Sequence, residues 1–176
     1  MNAIEFLVGI IFTLYLMVVL LRLWLQLAKA DFYNPLSQFV VRVTHPIVGP
    51  LRRIIPSIGS FDTATLLLAF AIALLKIWVL AMLRGYTMID PIGILVSACI
   101  YLLSEAAQLV IYVLIIRAIL SWVSQGSNPL ELLFHQLTEP LVAPIRRVVP
   151  SVGGLDLSPM ILIILLMFVM KLVGLG

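Results

Sequence analysis

The stretch that decides the fold is NPLSQFVVRVTHPIVGPLRRIIPSIGSFD, at residues 34–62. It recurs as NPLELLFHQLTEPLVAPIRRVVPSVGGLD at residues 128–156, displaced by 94 positions without a gap. The shared asparagine, proline, arginine, glycine and aspartate positions are too many for chance. Each copy lies between two apolar segments, so the chain is interpreted as a duplicated unit of "apolar segment, motif, apolar segment". Repeat 1 is placed at residues 1–88 and repeat 2 at residues 89–176, within one membrane domain.

The composition is typical of a membrane protein. Of the 176 residues, 63% are hydrophobic and 11% are charged, whereas soluble domains have about 45–50% and about 25%. A net charge of +3 would suggest nucleic acid as the partner of a soluble protein. In a membrane protein the positions of the charges matter more than their sum, so membrane lipids are expected as partners and nucleic acid is not.

Four apolar segments are long enough to cross a bilayer at about 1.5 Å per helical residue. They are residues 4–28, 63–84, 92–123 and 157–175. The first is interpreted as an uncleaved span, because the equivalent segment of the second copy lies mid-chain and must be structural. The sequence therefore predicts an all-α membrane protein with four transmembrane helices, arranged as two parallel tandem repeats.

Each motif is predicted to form two short amphipathic helices on the membrane surface. An asparagine N-cap and a proline at the first helical position begin the first helix. The next proline should end it, because the residue before a proline avoids the α conformation. A re-entrant loop is the alternative. An aspartate is expected to cap the span that follows. The residues concerned are Asn34, Pro35, Pro46, Pro50, Pro56 and Asp62, and in the second copy Asn128, Pro129, Pro140, Pro144, Pro150 and Asp156.

The distribution of lysine and arginine predicts the orientation. Most of these residues lie in or beside the motifs, and only Lys76, Arg84 and Lys171 belong to the other side. The positive-inside rule then places the motif segments in the cytoplasm and both termini in the periplasm. Because each repeat contributes two spans, the copies have the same orientation, related by an axis along the membrane normal.

The paired arginines of the two motifs are the first candidate site. They are Arg52 with Arg53, and Arg146 with Arg147. Near an anionic membrane surface each such residue contributes about 1 kcal/mol of binding free energy. Contact with lipid headgroups is the favoured interpretation, and docking of an unidentified membrane-protein partner is the alternative.

A polar stripe in the third span is the second candidate site. Tyr101, Glu105 and Gln108 recur at helical spacing there. An ionisable group inside the membrane is costly and is a functional hypothesis by default, so Glu105 is the first residue to test. It is either protonated and hydrogen-bonded between helices or paired with Lys76. The alternative, purely structural interpretation of Lys76 is that its side chain snorkels to the far membrane interface.

The sequence contains no pattern that indicates an enzyme. We find no paired cysteine motif, glycine-rich phosphate loop, zinc-binding helix motif or catalytic triad. The two histidines, His45 and His135, do not occupy equivalent positions of the two copies. A symmetric haem or metal site is therefore not expected. We expect neither catalytic activity nor a cofactor.

The doubled Asn-Pro, x-Pro-x-x-x-Pro-x-Arg-Arg, Pro-Ser-x-Gly and Asp pattern resembles the YggT family of bacterial membrane proteins, also called YlmG-like. The resemblance covers essentially the whole chain, including SWVSQG at residues 121–126. It implies a multi-pass inner-membrane protein, associated in some bacteria with osmotic-stress tolerance and potassium uptake. Other members are associated with cell-division gene clusters, and plastid relatives with nucleoid distribution and cytochrome assembly. It implies no reaction and no catalytic residues.

Three functions follow as hypotheses. The leading one is a non-enzymatic protein that supports osmotic or potassium homeostasis through a lipid- or partner-binding motif on the cytoplasmic face. The second is a channel or transporter component that uses the Glu105 stripe; four spans enclose little interior, so a pore would need a homo-oligomer. The third is a scaffold or assembly factor for cell division or respiratory complexes.

Overall fold

Six helices form the parts of the chain that the structure describes. It is a computed structural model and describes residues 2–59, 61–86, 90–123, 128–149 and 156–175. The helices are α1 (Ala3–Leu27), α2 (Pro35–Ile54), α3 (Thr63–Leu83), α4 (Pro91–Val123), α5 (Pro129–Arg146) and α6 (Ser158–Leu172). Within these ranges the extended structure is limited to an isolated bridge between Ile58 and Phe61. The prediction of an all-α protein is confirmed.

Three of these helices, α1, α3 and α4, are long and apolar enough to cross a membrane. Large apolar side chains on their outward faces are exposed, among them Leu14 (59% exposed) and Leu103 (61% exposed). A surface of this kind is unfavourable in water but is the expected contact with lipid chains. The helices thus have the length, composition and surface of membrane-spanning segments, as the sequence predicts.

The helix α6 is shorter than the fourth span expected at residues 157–175. It has 15 residues, or about 22 Å, whereas the hydrocarbon core of a bilayer is about 30 Å thick. Gly174 adopts a φ of +72° just beyond its end, a conformation that favours glycine. The Ser104 hydroxyl donates a hydrogen bond to the Leu175 carbonyl at 2.8 Å. The α6 helix therefore ends beside the middle of α4.

Each motif forms one continuous helix, and the prediction of two short helices was wrong. The α2 helix runs through Pro46 and Pro50, and α5 runs through Pro140 and Pro144. A proline inside a helix removes the hydrogen bond to the carbonyl four residues earlier. Because the two prolines are four residues apart, they lie on the same face, and in both helices that face is exposed. The carbonyls left without a helical donor can therefore bond to solvent, which reduces the free-energy cost of continuing the helix through the prolines.

The ends of these helices follow local sequence signals. The Asn34 carboxamide accepts a hydrogen bond from the backbone N–H of Leu36 at 3.0 Å, and Asn128 does the same for Leu130 at 2.9 Å. Pro56 lies just after α2, and its carbonyl accepts a hydrogen bond from the Thr63 hydroxyl at 2.7 Å. Its counterpart Pro150 lies outside the described residues.

Packing joins the helices into one bundle. The α1 helix packs against α2 and α3, α4 packs against α5 and α6, and both α1 and α3 contact α4. The main core contains fully buried Leu16 and Val19 of α1 together with Ala69 and Ala73 of α3. Small residues such as these alanines let membrane helices approach closely.

The two motif helices begin at the same end of the bundle and touch there. The Asn34 side-chain amide donates to the Pro129 carbonyl at 2.8 Å. The Asp31 backbone N–H donates to the Gln136 side chain at 3.0 Å. The N-terminal ends of α2 and α5 are therefore in contact. We call the exposed surface of these two helices, together with Lys29 before α2 and Arg147 after α5, the motif face.

The interior position of Pro50 generates a stability prediction. Pro50→Ala should raise the free energy of unfolding by about 2 kcal/mol, because alanine restores a helical N–H donor and removes a poor helix former. Thermal unfolding of the purified full-length protein in detergent would measure this. Pro35→Ala is the matched control: Pro35 occupies the first turn of the same helix, where proline is favourable, so no gain is expected. A lower melting temperature for Pro50→Ala would contradict the account of the exposed proline face.

Candidate functional site

A buried arginine attaches each motif helix to the long helix before it. Arg22 of α1 is 4% exposed, and its Nη1 donates to the Thr44 hydroxyl at 2.7 Å. Arg117 of α4 is 7% exposed and makes the same contact with Thr138 at 2.6 Å. Each threonine also donates to a carbonyl one turn earlier in its own helix, at 2.6 Å and 2.7 Å. From the sequence, these arginines were used only to predict the orientation in the membrane. The recurrence of arginine and threonine in both copies was nevertheless a signal of a shared contact.

The first arginine of the first pair is neutralised inside the protein. The Arg52 guanidinium forms an ion pair with Asp62, with Nε 3.2 Å from Oδ2, and donates to the Gln26 side chain at 2.7 Å. Asp62 is fully buried and accepts a hydrogen bond from the backbone of Thr65, in the first turn of α3. Burial opposes ionisation of Asp62, but the hydrogen bonds from Arg52 and Thr65 outweigh it and lower the pKa of that carboxyl.

The first arginine of the second pair lies in a larger charge network. Arg146 Nη2 lies 2.8 Å from Asp156 Oδ2, and Nη1 lies 2.7 Å from Glu139 Oε1. Glu139 Oε2 also accepts from Arg117 at 3.0 Å, so this carboxylate joins two arginines. Burial raises the pKa of both carboxyls. Hydrogen bonds to neighbouring side chains and the nearby arginines lower the pKa by a larger amount, so the net shift is downward for each carboxyl. In the first copy, His45 occupies the position of Glu139. There Arg52 bonds to the neutral side chain of Gln26 instead of to a glutamate.

The second arginine of each pair is free of such contacts. Arg53 and Arg147 are exposed, and the structure assigns neither an ion pair with any described residue. Arg42 and Lys29 are also exposed on this side, equally without an ion pair within the described ranges. All four arginines were predicted to form one site, but the structure distinguishes two that are paired with aspartates from two that have no ion pair with a described residue.

The opposite end of the bundle carries less free positive charge. Arg84 follows α3, and its Nε lies 3.3 Å from Glu5 Oε2 of α1. Lys171 is exposed near the end of α6. The exposed, unpaired cations of the described chain therefore concentrate on the motif face.

A second polar site lies between α1, α3 and α4. The Lys76 ammonium donates to Thr13 Oγ1 at 2.7 Å and to the Tyr101 hydroxyl. It also lies 4.1 Å from the centre of the Tyr101 ring, within range of a cation–π contact. The Thr13 and Tyr101 hydroxyl oxygens are 3.0 Å apart. Lys76 thus points into a three-helix junction, and the snorkelling interpretation of this residue was wrong.

The structure brings together only part of the predicted stripe. Glu105 lies one helical turn from Tyr101, and its Oε2 is buried without a hydrogen-bond partner. Gln108 makes no side-chain hydrogen bond to any residue that the structure describes. Thr13 joins the site instead, a residue that sequence reasoning missed because a lone threonine in an apolar helix carries no distinguishing signal. In the described ranges, no group of three or more His, Cys, Asp or Glu residues is placed to hold a metal ion.

The two arginine–aspartate pairs generate a pH prediction. Asp62→Asn should destabilise the protein by about 2 kcal/mol near neutral pH, because it leaves Arg52 without its partner. Since the pKa of Asp62 is lowered on folding, the contribution is complete above the ordinary aspartate value of about 3.9 and disappears as pH falls further. The difference in thermal unfolding between wild type and variant should therefore be constant from pH 8 to about pH 5 and shrink below about pH 3.9.

The second copy supplies the comparison for this experiment. The Asp156 side chain is 31% exposed, whereas that of Asp62 is fully buried. Solvent screening weakens exposed ion pairs, so Asp156→Asn should cost less than Asp62→Asn. An equal or larger effect at Asp156 would contradict the assignment of Asp62 as the stronger support.

Comparison with known proteins gives consistent relatives. The family described as CCB3/YggT matches residues 1–83 and 96–175. The chain is 52% identical over 175 residues to an uncharacterized protein in the proC 3'region of Vibrio alginolyticus, covering 99% of this chain and 95% of that protein. It is 49% identical over 166 residues to the uncharacterized protein YggT of Escherichia coli strain K12, covering 94% and 86%.

A protein of Pseudomonas aeruginosa, also uncharacterized, is 48% identical over 149 residues, which is 84% of this chain and 76% of that protein. No solved structure gives a significant match. The family match extends over both motifs and the helices that flank them. The chain therefore belongs to the CCB3/YggT family.

Proposed function

We propose that this protein is a non-enzymatic bacterial inner-membrane protein whose motif face binds anionic lipid headgroups on the cytoplasmic leaflet, and that it supports osmotic or potassium homeostasis from there. The observation that carries the proposal is the division within the arginine pairs. Arg52 and Arg146 are neutralised by aspartates, while Arg53 and Arg147 are exposed and have no ion pair with any described residue. A guanidinium without an internal acceptor is suited to bind a phosphate.

The exposed apolar side chains of the motif helices support a position in the membrane interface. In α2, Phe39 is 55% exposed and Ile47 is 44% exposed, and in α5 Leu132 is 57% exposed. An amphipathic helix with apolar and cationic side chains exposed together lies in the plane of the headgroups. Contact between the N-termini of α2 and α5 then presents both helices to the same leaflet.

The proposed topology has four spans in two parallel repeats, with residues 1–88 and 89–176 as the repeat units. Its weakest element is α6, which reaches only about 22 Å. A short span is accommodated by local thinning of the bilayer, at a cost of a fraction of a kcal/mol per Å. The equivalent attachments Arg22–Thr44 and Arg117–Thr138 support the repeat relation. The excess of exposed cations on the motif face supports its cytoplasmic orientation and periplasmic termini.

The choice of lipid over a protein partner rests on charge and on position. The exposed positive charges of the motif face lie beside apolar side chains, which matches a membrane surface with phosphates above acyl chains. A protein partner or a role in the assembly of division or respiratory complexes remains an alternative outcome of the experiment. The relatives are uncharacterized, so the osmotic and potassium role rests on the resemblance of the motifs alone.

Lipid selectivity provides the first test. The purified full-length protein should retain phosphatidylglycerol more strongly than phosphatidylcholine in native mass spectrometry. Arg53→Gln combined with Arg147→Gln should weaken phosphatidylglycerol binding about 30-fold, from about 1 kcal/mol per arginine. Lys171→Gln, an exposed cation on the opposite side, should change nothing. Equal retention of both lipids by the wild type would refute the proposal, and unchanged lipid binding with loss of function in cells would favour protein docking.

The polar junction favours a second candidate function, movement of a proton across the membrane. Lys76, Tyr101 and Glu105 place an ammonium, a phenol and a carboxyl at the contact of three helices. Such groups mark proton relays in membrane proteins. The fixed ammonium of Lys76 repels other cations, so this site is better suited to a proton than to potassium.

Flux through liposomes would test this second candidate. Liposomes containing the full-length protein and a pH-sensitive dye should take up protons under a potassium diffusion potential faster than empty liposomes. Glu105→Gln should reduce the uptake to the empty-liposome rate while preserving the fold, because glutamine cannot exchange a proton. Lys171→Gln serves as the control and should conduct normally. Full uptake by Glu105→Gln would end the pathway hypothesis.

A further inference from the structure

A polar cavity lies beneath the second motif helix, apart from the exposed cations of the motif face. It has a volume of about 210 Å³ and lies between α4, α5 and the start of α6. Its polar lining consists of Arg117, Ser121, Glu131, His135, Arg146 and Asp156. A cavity of this size holds an ion together with several waters, since each water occupies about 30 Å³.

The two arginines of the cavity are already occupied. Arg146 is bonded to Glu139 and Asp156, and Arg117 is bonded to Glu139 and Thr138. Two positive charges are thus matched by two carboxylates through close, charge-assisted hydrogen bonds. These guanidiniums offer little to an incoming anion.

The carboxylate of Glu131 is left in excess. Its Oε2 is buried and has no hydrogen-bond partner among the residues that the structure describes. Glu131 lies in the first turn of α5, where the helix dipole favours negative charge. His135 Nε2 lies 3.1 Å from Glu139 Oε2, so the imidazole contacts the arginine network, and Glu131 is the lining carboxylate that pairs with neither arginine. A buried carboxylate oxygen without a donor or counter-charge is unfavourable, so a positively charged ligand beside it would stabilise this side chain.

In the first motif, the longer side chain of Gln26 occupies the position that corresponds to Ser121 of this cavity. Gln26 lies four residues after Arg22, as Ser121 lies four residues after Arg117. The Gln26 amide oxygen reaches Arg52 at 2.7 Å, whereas the shorter Ser121 leaves space. Ser37 and Val41 occupy the positions of Glu131 and His135. The anionic group is therefore a feature of the second motif that the first motif lacks.

We propose that this cavity binds one small monovalent cation, with the Glu131 carboxylate as its anionic ligand and the Ser121 hydroxyl and water as further oxygen donors. One excess carboxylate matches one positive charge, whereas divalent ions in proteins are usually held by several carboxylates. Oxygen donors suit hard alkali cations. A second pocket of about 180 Å³ is also lined by Glu131 and His135. These two side chains thus lie between the cavity and the surface, which provides a route of entry.

The proposal uses different residues from the proposed lipid site and does not depend on it. Arg53 and Arg147 do not line the described cavity. Either proposal can therefore fail while the other stands.

Thermal unfolding of the full-length protein in a neutral detergent would test the cation site. The protein is titrated with lithium, sodium, potassium or caesium chloride, and choline chloride keeps the ionic strength constant. At least one alkali cation should raise the melting temperature saturably, by about 3 °C at ten times its dissociation constant. Equal melting temperatures in all alkali salts and in choline, as expected if water alone fills the cavity, would overturn the proposal.

Two variants and a control make the experiment specific. Glu131→Gln should abolish the cation-dependent shift, and in choline it should melt at or above the wild-type temperature because the unpaired buried charge is gone. Ser121→Gln should reproduce the arrangement of the first motif, fill the cavity and also abolish the shift. Asp31→Asn, which changes an exposed carboxylate on the same side, should retain it. A shift that persists in both cavity variants would refute the site, even if one of them proves poorly folded.

Discussion

Two buried guanidiniums, each bonded to a threonine near the middle of a motif helix, constrain most of this structure. A buried arginine is tolerated only when its N–H groups are bonded, because desolvation of an unbonded charge costs several kcal/mol. Arg22 and Arg117 each donate one such bond to a threonine of α2 or α5, and Arg117 also donates to Glu139. Each motif helix is thereby fixed against a long helix at one rotation. In this arrangement Arg52 and Arg146 reach the aspartates that precede α3 and α6, and the following arginine of each pair has no ion pair with a described residue.

The two motifs use this scaffold in different ways. In the first, the neutral Gln26 joins the Arg52–Asp62 ion pair, and a histidine is present at position 45. The second replaces them by a network in which Glu139 joins two arginines. The two motifs thus share the attachment of the helix and an exposed arginine without an ion pair to a described residue, while their buried surroundings differ. The shared features are candidates for a common task at the membrane surface, and the divergent ones for a task of one motif alone.

Local signals in the sequence predicted much of the fold. The asparagine caps, the long apolar helices and the helical nature of the motifs depend on neighbouring residues, so composition and spacing were sufficient. The continuity of α2 through Pro46 and Pro50 was not predictable in this way, because it depends on which face of the helix is exposed. The division of the arginine pairs also depends on tertiary structure, since Asp62 was recognised only as a helix cap. Lys76 illustrates the same limit: its partners Thr13 and Tyr101 are far away in the sequence.

The exposed proline face also affects the mechanics of the motif helices. An α-helix resists bending through its hydrogen bonds, and in α2 and α5 two of these bonds are missing on a single side. Bending that opens this side breaks no further bond, whereas bending in other directions strains intact ones. Each motif helix therefore bends more easily in one direction than in the others. In the proposed position at the membrane interface, this would let the pair adapt to the curvature of a leaflet while their buried arginines stay in place.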